Sequence, residues 1–171
     1  NPDQSNGIES ELHTHMKYYR NRCEHENRRA MVYIDEYNRT ADRFYDAIDN
    51  ATKMKNAIER LEIHHRIEVD WQQPRPFVEL EGRNVPIEDF KILMNLADRE
   101  AQTLSNIMID LKREICNSLK ACRRLLNEYP TVLQNAQHKR LSEMDIEKRS
   151  KVLVNEVNDR IVTLLRGSVM F

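Results

Sequence analysis

The chain has 171 residues, 27 of them basic and 28 acidic, so its formal net charge is −1. That balance excludes the chain-wide basic footprint of a phosphate-backbone binder, and no nucleic-acid partner is expected. With 32% charged residues, 6% aromatics, 3 Gly and 5 Pro, the composition also argues against a sandwich or barrel of short strands and for helices.

From Ile8 to Val69 there is neither Gly nor Pro. A heptad runs through this stretch: Met16, Cys23, Ala30, Tyr37, Phe44, Ala51, Ile58 and His65 form one series, and Tyr19, Glu26, Tyr33, Thr40, Ala47, Met54 and Leu61 the other. Only Glu26, Thr40 and His65 break the apolar seam. Ile34, Ala41 and Ile48 widen it in the middle, more than a two-stranded contact requires. A helix over residues 8–69 is predicted, about 90 Å long at 1.5 Å per residue.

Trp71-Gln72-Gln73-Pro74-Arg75-Pro76 ends that helix, because each proline lacks a donor and pushes the residue before it into extended backbone. Residues 70–86 are read as an irregular connection, within which Phe77-Val78-Glu79-Leu80 alternates weakly enough for either a short strand or a plain extended link. Trp71 and Phe77 then have two readings. They cap the helix ends, or they belong to an exposed partner-binding loop offering an added strand.

Pro86 suits the first turn of a second helix, with Glu88 and Asp89 placed to complement its dipole. This helix is predicted over 87–127, about 60 Å, interrupted at Tyr129-Pro130, with a short helix over 131–141 after it. Ser142-Glu143-Met144-Asp145 resembles an N-terminal capping box with Asp in the place of Glu or Gln, and opens a last helix over 143–166, with Gly167 at its C-terminal cap.

Chemistry is hard to place on this pattern. His13 and His15 diverge around a helix, as do His64 and His65, and none has the i, i+4 partner of a helical zinc pair. Cys23, Cys116 and Cys122 lack metal-ligand spacing; Cys116 and Cys122 stand about 240° apart on one helix and cannot bridge each other. They read as reduced thiols of a cytoplasmic protein. Carboxylates are interleaved with Lys and Arg, as a solvated helix surface requires, and no nucleophile elbow or phosphate-binding glycine loop occurs. No cofactor, metal or enzymatic activity is expected.

Two features could bind partners. Arg113, Lys120 and Arg124 share one face of the second helix, beside Lys112 and Arg123, and form either a solubilising face or a dock for an acidic protein or an anionic membrane. The membrane reading needs Lys148, Arg149 and Lys151 on the same face. Asn38-Arg39-Thr40 and Asn50-Ala51-Thr52 match the glycosylation sequon but fall inside the heptads, where chance matches are expected. The chain starts at Asn1 and ends on Val169-Met170-Phe171, which reads as a segment of a longer polypeptide.

The expected fold is therefore all-α: one elongated antiparallel helical bundle or coiled coil across residues 1–171, with a very long N-terminal helix and shorter returning helices. The expected function is a non-enzymatic scaffold or adaptor that holds protein partners, of a cytoskeletal or trafficking kind; the alternative is a helical module on anionic membrane. Because the returning helices are shorter, the seam at Met16, Tyr19, Cys23, Ala30, Tyr33 and Tyr37 is expected to close a homodimer, unless the last helix doubles back over it.

Overall fold

The computed structural model describes residues 2–67, 77–80, 82–135 and 141–169, with side chains described for 9–60, 82–86, 88–135 and 141–169. Two short strands aside, the fold is an all-α bundle with one long N-terminal helix. Helix α1 spans Pro2–Ile67, strands β1 and β2 span Phe77–Leu80 and Arg83–Pro86, and helices α2 and α3 span Ile87–Gln134 and Glu143–Arg166. The described residues gather into two compact units, Asn1–Asn38 with Asp110–Phe171, and Arg39–Ile109. Helices α1 and α2 each contribute to both.

The first unit has three helices. Tyr19 lies against Tyr129 with ring centroids 5.4 Å apart, Cys23 shares a cluster with Cys122, and Ile34 shares another with Ile115. Partner numbers fall on α2 as they rise on α1, so the two are antiparallel. Helix α3 runs the other way: Arg20 binds Glu156, Glu24 meets Arg160, and Asn38 reaches Gly167. Its Leu153 and Val157 join Leu12, Tyr19, Cys23, Cys122, Leu125, Tyr129 and Leu133 in one apolar core.

Local chemistry sets the ends of α3. Ser142 is its N-cap, with extended backbone and a hydroxyl that accepts the Asp145 N–H at 3.1 Å, as the capping-box pattern predicts. At the other end Gly167 donates to the Leu164 carbonyl. The Asn38 side chain then donates to the Gly167 carbonyl at 2.9 Å and accepts the Val169 N–H at 3.1 Å. A single amide on α1 thus serves two backbone groups that the end of α3 leaves unpaired. This Asn, the first residue of a sequon match, is thus engaged within the chain, two residues before a buried Thr40.

The second unit pairs α1 with α2. Ala47, Ala101 and Leu104 pack with Phe44, and further along Ile58 and Phe90 pack with Met54, Ala57, Met94 and Val85. Val85 belongs to a hairpin, since β1 and β2 pair antiparallel with Val78 opposite Val85 and Leu80 opposite Arg83. Gly82 sits in the turn at φ 77°, where a side chain would strain the backbone. Of the two readings of 77–80 the short strand is the one found, and the irregular connection expected over 70–86 is corrected by its partner strand at 83–86; Trp71 lies outside the described residues, and so does the Phe77 side chain.

A second correction concerns Pro130. The helix expected to stop at 127 continues through the proline to Gln134, so residues 131–134 belong to α2 rather than to a separate short helix, and 136–140 lie outside the described residues. Proline in a helix interior costs about 3 kcal/mol through a lost hydrogen bond and a ring clash. Here the apolar stripe does not stop: Leu125, Tyr129 and Leu133, four apart, are all buried in the core, so continuing one turn past Pro130 buries Leu133. Tertiary packing outweighs the local preference.

Leu153→Ala should therefore lower stability by about 2–5 kcal/mol, because the side chain is fully buried. Asn38→Ala should cost about 1 kcal/mol, since water can replace both lost partners. Urea unfolding followed by far-ultraviolet circular dichroism measures both, and a Leu153→Ala midpoint equal to the parent's would refute the core described here.

Candidate functional site

The basic face of α2 lies in the first unit. Lys112, Arg113, Lys120, Arg123 and Arg124 are all exposed, pushed outward because Ile115, Ser118, Cys122 and Leu125 take the opposite side of the helix into the core. Arg113 meets Asp110 at 3.5 Å on its own helix. Arg124 borders a cleft of about 480 Å³ with Tyr19, Asn127, Glu128, Thr131 and Val132. Of the other basic residues the membrane reading needs, Arg149 is turned toward Glu9 at 4.0 Å.

The predicted seam is placed differently. Tyr19, Cys23 and Ala30 are buried, and Met16, Tyr33 and Tyr37 pack half-buried against the same clusters, all within one chain. The seam is covered by α2 and by α3 lying alongside α1, the arrangement in which the last helix doubles back. These residues pack into cores within the chain.

At the centre of that core lies a small polar network absent from the heptad reading. The Cys122 thiol donates toward the Asn27 carbonyl oxygen at 3.3 Å and the Cys23 carbonyl at 3.4 Å. Asn27 is 1% exposed, whereas Glu26 stays at the edge of the core and meets Arg29 at 3.4 Å. The available signal was Glu26 itself: a carboxylate in a heptad core position marks a place where the neighbouring residue faces inward instead.

Burial and hydrogen bonding move the two core thiols in opposite directions. The hydrogen bond with Cys23, together with burial, holds the Cys122 thiol far above its ordinary range. The same bond lowers the Cys23 thiol, which is fully buried. A groove of about 600 Å³ between the end of α2 and the start of α3 includes Pro130, Ile146, Ser150 and Lys151. The Ser150 hydroxyl is buried and has no hydrogen-bond partner among the described residues. Among the described residues no group of His, Cys, Asp and Glu could hold a metal ion, and no described helix is long and apolar enough to cross a membrane.

Comparison of the chain with protein families, with curated proteins and with solved structures finds no match.

Burial raises Tyr129, against the pull of Arg149 and Arg20; burial and then Glu128 raise Tyr19. A raised folded-state value means that the unfolded chain ionises first, so this stabilisation is complete below the ordinary tyrosine value of 10.0 and is lost as pH rises through the folded value. Thermal melts across the alkaline range should show the melting temperature falling. In Tyr129→Phe the fall should be shallower, and an unchanged slope would show that Tyr129 titrates freely.

Proposed function

We propose that this chain is a non-enzymatic helical scaffold that binds an acidic protein partner through the basic face of α2. The observation that carries this reading is the exposure of Lys112, Arg113, Lys120, Arg123 and Arg124 together on a helix whose other side is committed to the core. Elsewhere, surface charges of opposite sign commonly meet one turn apart, as in Glu24 with Arg28 and Asp49 with Lys53. Five cations against Asp110, Glu114 and Glu128 leave a surplus that an acidic surface would neutralise, and such complementarity steers encounter and selects partners.

A cytoplasmic setting agrees with cysteines that remain free thiols. Homodimerisation loses its original motive, because Tyr19, Cys23 and Ala30 are already covered within the chain. Membrane docking is less favoured, because Arg149 is engaged by Glu9.

Combined charge reversal by Arg113→Glu, Lys120→Glu and Arg124→Glu should leave helicity and melting unchanged, since exposed charges contribute only about 0–1 kcal/mol each. A photo-crosslinking residue placed at the exposed Asn117, between these cations, should capture a defined acidic protein in cells that express the chain, and the reversal should abolish capture. Loss of helicity in the triple variant would make the cluster structural and end the docking idea. Charge-dependent sedimentation with vesicles rich in phosphatidylserine would replace the protein partner with a membrane.

A further inference from the structure

Helix α2 carries one row of residues three or four apart, Arg113, Asn117, Lys120, Arg124, Asn127 and Thr131, and every member of it is exposed. The cations of the row belong to the basic face, while Arg124, Asn127 and Thr131 line the cleft of about 480 Å³. The basic face therefore runs without a break into a concavity. Its opposite wall is Tyr19 on α1, whose ring is held by Tyr18 at 5.2 Å and by Tyr129 at 5.4 Å between centroids. Val132, packed against the core, adds apolar surface. Sites of about 300–1,000 Å³ commonly hold a ligand, so this one has room for a large side chain.

Charge is spread unevenly along the row. Lys120 and Arg124 stand at the end of the cleft nearer the middle of α2, whereas Glu128 is the carboxylate in its lining. On α1 Arg22 donates to the Tyr18 hydroxyl at 2.8 Å and adds a cation beside the aromatic wall. An acidic group is thus favoured over Lys120 and Arg124 and disfavoured next to Glu128. An uncharged group is favoured against Tyr19 and Val132, and an aromatic one above all, because the Tyr19 ring and the Arg124 guanidinium both suit a π face.

We infer that the occupant is an acidic segment of a protein partner, bound with its carboxylates over Arg113, Lys120 and Arg124 and with one aromatic side chain seated in the cleft against Tyr19 and Val132. This deepens the proposed function and rests on it: the charges steer and orient the segment, and the aromatic anchor supplies affinity. Arg124 and Thr131 are separated by a rise of about 10 Å, the length of about three extended residues, so the anchor follows the last carboxylate at about that spacing.

The test uses the full chain and two fluorescein-labelled synthetic peptides, each a run of glutamates and a short serine–glycine spacer, ending in tryptophan or in alanine. Fluorescence anisotropy at low ionic strength compares them. The tryptophan peptide should bind at least about tenfold more tightly than the alanine peptide. Thr131→Trp, which fills the cleft from an exposed position, should abolish that difference and leave binding of the alanine peptide unchanged. With benzoylphenylalanine in place of the tryptophan, irradiation of the unsubstituted chain should crosslink the peptide to residues 124–132 or to the segment around Tyr19, read by peptide mass spectrometry. Equal affinities, both weakened by the triple charge reversal, would overturn the anchor and leave the basic face as a dock. So would a tryptophan gain that survives in Thr131→Trp, or crosslinks confined to other segments. Failure of both peptides to bind would end the basic-face reading itself, and the anchor with it.

Discussion

A helix as long as α1 depends on having its apolar stripe covered along its length, because isolated helical backbone contributes little net stability in water and tertiary packing supplies the rest. The two units meet this requirement differently. In the second, a single antiparallel helix suffices where the buried residues Ala47, Ala51 and Ala101 are small, and the hairpin adds Val85 beside Ile58 and Phe90. In the first, the stripe is wider and carries Tyr19, Cys23 and Asn27 on adjoining azimuths, so two helices are needed to close it. The continuation of α2 past Pro130 and the return of α3 both follow from that width.

The same requirement explains what could be read from sequence. Where one physical signal acts alone, the sequence reading and the structure coincide: Pro86 immediately precedes α2, the Ser142 box opens α3, and Gly167 ends it. Where two signals compete, local rules misled. Proline chemistry argued for a stop at Pro130, but burial of Tyr129 and Leu133 on either side of it decides the outcome, and nothing local to the sequence reveals what those residues will meet. The heptad likewise treats every core position as facing one partner. Around a third helix the buried arc broadens, so Asn27 enters the core and Glu26 moves to its edge.

Of the candidate binding residues, the cationic face was the legible part. Arg113, Lys120 and Arg124 are seven and four residues apart, and that spacing alone puts them on one side of a helix and, with apolar residues opposite, in solvent. The seam was legible as apolar but not as occupied, because a stripe reads the same whether its cover comes from the same chain or from another. Only the direction of α3, which runs alongside α1 from Glu9 to Asn38, tells the two apart.

That direction and its register need a device of their own, since apolar side chains tolerate sliding by a turn better than polar ones do. In the first unit the polar contacts between α1 and α3 form a graded series: Glu9 with Arg149, Arg20 with Glu156, Glu24 with Arg160, and Asn38 with Gly167 and Val169. The exposed ion pairs are worth little individually and would re-form with other partners after a slip. Asn38 is different. Its amide matches one carbonyl and one N–H just beyond the last turn of α3, and a slip of one turn would bring helical backbone, with its groups already bonded, against it. Register is thus set at the end of α3, by one side chain whose partners exist at a single place along the chain, while the apolar core supplies the stability.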